Sequence, residues 1–258
     1  IESYWMCYGP AAQTGARREQ MDKNFKDLIN WLLFGLVDFD FLSESLLPGQ
    51  CGEGEPEPPF SGQRGEGRGA GTLAVGGMNY RTVLVPGLLT IRSTTLERLE
   101  RLAEEGGRVI FMGNIPHMVD GEESDRAQRL AERTEVIPHQ EYELLRALEE
   151  DRDVEIRLGN GSLSRNLFYQ LRQDGNVRWL FVCHVNRKRN RLEQAESLRV
   201  SIRGRYRVTA WNALDGSVGE LEPAYRDGNT ELDLILYAED SFLWKLCPLE
   251  EPEEAENK

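Results

Sequence analysis

The stretch from Leu73 to Asn114 limits this chain most. Thr82 to Val85 is a short apolar run closed by Pro86-Gly87, as a buried strand is. Thr94-x-x-Glu97 has the form of a capping box, and Leu96, Leu99 and Leu102 mark one face of the helix it starts. Gly106-Gly107 ends that helix, and Arg108 to Met112 reads as a second buried strand. Strand, helix and strand at this spacing form a βαβ unit of a parallel sheet. Leu73 to Tyr80, with Gly76-Gly77 at its centre, reads as a tight hairpin leading in.

Before this unit lie an aromatic loop, residues 1–10, a helix over Arg17 to Leu36, and the alternating segment Val37 to Leu42, which predicts a half-buried strand. A doubly wound sheet starts with a strand ahead of such a loop. Residues 1–150 therefore read as an α/β domain, flavodoxin-like, short of its first strand. The Gly- and Pro-rich residues 48–71 cannot bury enough surface to order themselves and read as a mobile insertion. Helices are predicted from Ser124 to Arg133 and from His139 to Glu150.

Near Asp151 the period changes from helical to alternating. Asp153–Leu158, Asn166–Arg172, Val177–Val185, Leu198–Ile202, Tyr206–Ala210, Leu232–Leu236 and Phe242–Leu246 read as short strands, with turns at Asp174-Gly175 and Asn212–Gly216. Residues 151–247 are thus expected to form an antiparallel β-sandwich. Residues 248–258 read as an acidic tail.

The net charge of −13 argues against nucleic acid or an anionic membrane surface as partner. No run reaches the length of a membrane span, and no signal-peptide pattern is present, so the compartment stays open. Cys7, Cys51, Cys183 and Cys247 lack metal spacing and are expected as free thiols. No metal site follows from the His and Cys positions.

Candidate chemistry is sparse. There is no G-x-S-x-G and no phosphate-cradling glycine loop. His117 follows a parallel strand, where α/β sheets bind ligands. His139, at a helix start, and His184, in a strand, read as structural. Asp38 and Asp40 share a face of the predicted 37–42 strand, either a ligand-facing pair or its solvated side. Tyr4, Trp5 and Tyr8 lie in one loop and suit either sugar stacking or an interface.

Several segments together resemble glycoside hydrolase family 106, the α-L-rhamnosidase-type enzymes. They are IESYWMCYGP (1–10), LLFGLVDFDFLSESLLP (32–48), MNYRTVLVPGLLTIRSTTLERLERLAEEGGRVIFMGNIP (78–116), NLFYQLRQDGNVRWLFVCHV (166–185) and WNALDGSVGEL (211–221). The resemblance implies a class I amidotransferase-like α/β domain followed by β-sandwich modules, downstream of a catalytic (β/α)₈ barrel. In amidotransferases the turn after the second strand carries a Cys; here it reads Met112-Gly113-Asn114, which disfavours a Cys–His hydrolase. The family's acid and base carboxylates and its calcium belong to the barrel, so no catalytic residue, metal or cofactor is carried over to this chain. What the resemblance implies is a non-catalytic portion of a carbohydrate-active enzyme. Its partners would be that barrel, a carbohydrate substrate reached through the parent enzyme and, in the manner of trimerisation domains, copies of itself. Glu2, Trp5, Asn114 and His117 are the expected sugar-pocket residues, because loop 1–10 and the loop after Met112 should meet at one sheet edge. The alternative is a self-standing α/β module that binds a small molecule or a protein.

Overall fold

The computed structural model describes Ser3 and residues 9–51, 71–185, 195–237 and 240–249. The chain divides into two compact units. One comprises residues 1–29 and 39–149, the other residues 30–38 and 150–258.

The first unit is built on parallel strands β3 (Thr82–Val85), β5 (Arg108–Met112) and β8 (Glu135–Ile137), hydrogen-bonded in the order β3-β5-β8. Helix α3 (Ser93–Glu104) joins the first two and α4 (Arg126–Ala131) precedes the third. Leu96, Leu99 and Leu102 of α3 are buried with Val109 and Phe111 of β5 and Ala127 and Leu130 of α4. Four of the five β5 residues are buried, as the continuous apolar run RVIFM requires of a strand covered on both faces. The unit also holds helix α1 (Ala11–Phe34) as far as Ile29, and helices α2 (Leu47–Gln50) and α5 (Glu141–Ala147). The hairpin of β1 (Leu73–Val75) and β2 (Met78–Tyr80) belongs here too. So does a small sheet of β4 (Thr90–Ile91), β6 (Met118–Val119) and β7 (Glu122–Glu123).

Gly106 ends α3 with φ 89°, and the amides of Gly107 and Gly106 donate to Leu102 O and Ala103 O, a Schellman closure. The expected capping box is absent. The helix starts at Ser93, which puts Thr94 inside the first turn, and the Ser93 amide donates instead to Asp120 Oδ1 at 3.0 Å. A carboxylate from the β6–β7 turn thus does the work that Thr94 was expected to do locally.

Residues 37–42 are also not a strand. Alternation makes a strand only where an edge is there to pair with, and this segment joins no ladder. Its apolar positions are used otherwise: Phe41 meets Phe25 of α1 at 5.8 Å and Phe39 at 5.3 Å. Asp40 accepts a hydrogen bond from Tyr80 Oη at 2.7 Å, so the Asp38–Asp40 pair is not a shared strand face. Residues 52–70 of the glycine-rich stretch lie outside the described residues. At its ends, Leu47 is buried and Gln50 O accepts from the Gly76 amide.

The second unit is an antiparallel sandwich. One sheet runs β10 (Leu167–Asp174), β11 (Val177–His184), β17 (Ser241–Pro248), β13 (Tyr206–Trp211), β14 (Val218–Leu221). The other runs β15 (Ala224–Arg226), β16 (Asn229–Leu236), β12 (Glu196–Arg203), β9 (Val154–Leu158). Alternation decides what faces inward: Leu198, Val200 and Ile202 of β12 are buried with Leu180 and Val182 of β11 and Trp244 and Leu246 of β17. Strands β8, β14 and β15 have no counterpart in the sequence reading. They hold three or four residues each, too few to show a period. Residues 250–258 of the acidic tail lie outside the described residues.

No described helix is long and apolar enough to cross a membrane. Cys51, Cys183 and Cys247 are free thiols; Cys7 lies outside the described residues.

Candidate functional site

The three parallel strands end together, and the loops that follow them form a groove. Gly87, Leu88 and Leu89 follow β3, Gly113 and Asn114 follow β5, and His139 follows β8. Helix α1 closes one side with Arg17, Gln20, Met21 and Asn24, whose spacing puts them on one helical face. This part encloses about 380 Å³. A second part, about 420 Å³, shares Arg17, Leu88, Leu89, Gly113 and Asn114 and adds Ile115, His117 and Gln128. Each volume is in the range of small-ligand sites, and the position is where open α/β sheets place ligands.

Local backbone chemistry sets the groove wall. Gly113 has φ 79°, a conformation side chains resist, and its amide donates to Ile137 O at 2.9 Å, which ties the start of this loop to the end of β8. A Cβ on Gly87 would come within 3.3 Å of the Asn114 amide nitrogen, so the two loops approach at van der Waals limit. The His117 amide donates to Leu89 O at 3.2 Å, tying the β5 loop to the β3 loop. Ser3, buried, anchors the start of the chain to the same place. Its hydroxyl donates to Thr90 O and accepts from the Leu89 and Thr90 amides.

Asn114 and His117 are both exposed and both line the groove. Glu2 and Trp5 lie outside the described residues. Arg17, Gln20, Asn24, Gln128 and His139 were not expected here. The signal for the first three was available: polar residues at positions 17, 20 and 24 recur on one face of a helix that also carries Met21. His139 is half-buried, and loss of water holds its imidazole pKa below the ordinary value; Asp27 opposes that and Lys23 reinforces it. Its ring is therefore neutral near pH 7, able to donate at one nitrogen and accept at the other.

The groove thus offers amides, imidazoles and one guanidinium set among Met21, Leu88, Leu89, Met112 and Ile115. No Asp or Glu is among its described lining residues. It can hold a small ligand by hydrogen bonds and apolar contact. Among the described residues its lining holds neither the paired carboxylates of glycoside hydrolysis nor a Cys or Ser nucleophile. Among the described residues no cluster of three His, Cys, Asp or Glu side chains is placed to hold a metal ion.

No protein-family model and no curated protein matches the sequence. Solved structures do resemble the fold. A rhamnosidase from Novosphingobium sp. PP1Y matches 71% of this chain with TM-score 0.53 and 15% identity. Alpha-L-fucosidase isoenzyme 2 from Paenibacillus thiaminolyticus matches 87% with TM-score 0.51 and 11% identity. This chain spans 19% of the rhamnosidase and 45% of the fucosidase. Both are glycoside hydrolases, and at these identities the likeness is one of fold.

Proposed function

We propose that this chain is a non-catalytic portion of a carbohydrate-active glycoside hydrolase of the α-L-rhamnosidase-like kind. In this reading it braces a catalytic (β/α)₈ barrel, mediates oligomerisation, or helps close the sugar pocket. The observation that carries the reading is the succession of folds. A parallel α/β unit followed by an antiparallel sandwich matches part of two glycoside hydrolases across most of this chain. The groove supports the non-catalytic half of the reading. Hydrolysis of a glycosidic bond takes two carboxylates flanking it, and the described residues of the groove lining supply none. Asn114 and His117 are the proposed sugar contacts, with Gln20, Asn24 and Gln128 as further hydrogen-bonding groups.

The test is turnover of chromogenic α-L-rhamnosides and α-L-fucosides by the purified chain. None is expected. Turnover that disappears on replacing a single carboxylate of this chain would overturn the reading.

The amide-lined groove also favours a second reading, a self-standing module that binds a small molecule. The DNA upstream of the codon for Ile1 separates the two. An in-frame barrel supports the first, and a start codon beside Ile1 supports the second.

A further inference from the structure

The outward face of the five-stranded sheet carries aromatic side chains where a solvent-facing antiparallel sheet is normally polar. Strand register aligns Phe181 of β11, Leu243 of β17, Trp211 of β13 and Val218 of β14 in one row across four adjacent strands. Phe181 is 40% exposed, Trp211 41% and Val218 53%. The next row reads Trp179, Lys245, Thr209, Glu220 in the same strand order. Trp179 stands edge-to-face against Trp211 at 5.4 Å, and the Lys245 ammonium lies 5.8 Å over the Trp179 ring. On β10 the two rows end in Gln170 and Arg172, both exposed. On the other side of the aromatic row, Phe34 packs against Phe168 of β10 at 5.1 Å.

We propose that this face is a carbohydrate-binding surface for an extended neutral oligosaccharide lying across the strands. Three features select that occupant. The first is size. The aromatic row spans three strand spacings, about 14 Å, and one side-chain repeat, about 7 Å, in width. With the neighbouring row and β10 included, the face is about 19 by 14 Å, roughly 270 Å², still well below the ~800 Å² per partner of a stable protein interface. A strip this narrow fits a linear chain of sugar rings and is too small for a second folded protein.

The second feature is chemistry. A pyranose has an apolar C–H face and a hydroxyl rim. Trp211 and Phe181 meet the face, and Gln170, Thr209, Lys245 and Glu220 offer donors and acceptors beside it. The third is charge. The aromatic row itself carries none, and the neighbouring row mixes both signs, which suits hydroxyls better than a polyanion. The choice of a sugar rests on the glycoside-hydrolase reading. The face itself belongs to the sandwich unit, separate from the groove.

Affinity electrophoresis of the chain through gels containing galactomannan, xyloglucan or polygalacturonate tests the proposal. The expected result is retardation by at least one neutral polysaccharide. It should be weakened tenfold or more in Trp211→Ala and in Phe181→Ala, and shifts in tryptophan emission should accompany the titration. Thermal unfolding of each variant checks that the sandwich is intact. Gln170→Ala, which removes only a rim amide, should weaken binding less, and it provides a readout should an aromatic variant fail to fold.

Absence of retardation by any neutral polysaccharide overturns the proposal. So does retardation unchanged in the folded variants, or binding to polygalacturonate alone that salt abolishes. A concentration-dependent dimer that Trp211→Ala dissolves would assign the face to a second copy instead. Hydrolysis plays no part in the assay, so a negative result leaves the enzyme reading standing, and a failed turnover prediction leaves this one standing.

Discussion

The Ser3 hydroxyl donates to the Thr90 carbonyl at 3.0 Å, a contact spanning 87 positions of sequence. The same oxygen accepts from the Leu89 and Thr90 amides at 3.1 Å each. One buried hydroxyl therefore satisfies three backbone groups, the Leu89 amide just before β4 and the amide and carbonyl of Thr90 at its start. Leu89 is also the residue to which the His117 amide donates, so this contact underlies the groove wall.

Replacing Ser3 by Ala should leave those backbone groups without their partner. A loss of about 1–3 kcal/mol is expected, the cost of orphaned buried polar groups. Urea unfolding of the first unit, followed by a probe in β5, measures it. Ser3→Thr should keep most of the stability if the added methyl is accommodated.

The Asp120 carboxyl is held below its ordinary pKa, chiefly by hydrogen bonding to Ser93 at the start of α3. A depressed folded pKa means the unfolded chain binds more protons as pH falls. The stabilisation is therefore complete above the model-peptide range near 3.8 and is lost as pH drops through the lower folded value. Asp120 is exposed, so solvent screening keeps the effect small. Melting temperatures between pH 2.5 and 5 should fall less steeply in Asp120→Asn, which keeps the acceptor and tolerates φ 51° but does not titrate.

In the groove, burial holds the His139 imidazole below its ordinary pKa. Its unfolded pKa is the higher one, so stability should decline as pH falls below 6.5 and level off once the folded ring is protonated. His139→Gln should remove that component. A histidine NMR titration that puts this ring at or above 6.5 would contradict the burial argument.

A Cβ on Gly107 would lie 2.2 Å from Leu102 Cδ1 and 2.6 Å from the Gly71 carbonyl oxygen. Gly107→Ala should cost about 2–3 kcal/mol, because backbone as well as side chain must move. At Gly106 a Cβ meets nothing within 4 Å, and only φ 89° resists it. Gly106→Ala should cost about 1 kcal/mol. Equal losses in guanidinium unfolding would show that the close approach of Gly71 and Gly107 is unimportant.

Leu36 closes α1 in the left-handed region, φ 55°, with Val37 and Leu36 amides donating to Leu32 O and Leu33 O. This is a Schellman closure with leucine where glycine is usual. The side chain is 2% exposed in the sandwich core, which offsets the backbone cost. Both Leu36→Ala and Leu36→Gly should destabilise by about 2–4 kcal/mol. Gly should be the milder by about 1 kcal/mol, the reverse of their order inside a helix, because only Ala keeps the strain.

Periodicity in the sequence determined much of this fold. Thr82–Val85 and Arg108–Met112 are strands with the bounds their apolar runs suggest; β5 is buried on both faces, which an apolar run permits, whereas β3 is fully buried only at Val85. Leu198, Val200 and Ile202 alternate inward because a sandwich has one wet side. The turns at Gly76-Gly77 and Gly106 were legible because few residues adopt φ above zero. Asn114 and His117 drew attention only because they follow a parallel strand.

What tertiary structure alone decided depends on partners distant in sequence. Val37–Leu42 alternates like a strand but finds no edge to pair with. Thr94 looks like a helix cap, yet Asp120 supplies it from another loop. Arg17, Gln20 and Asn24 become groove residues only because α1 lies beside the strand ends. Phe181 and Trp211 share a surface through the register of β11, β17 and β13. Local sequence sets which backbone states and faces are affordable. Which groups then meet is set by ladder register and helix docking, and neither has a local signal.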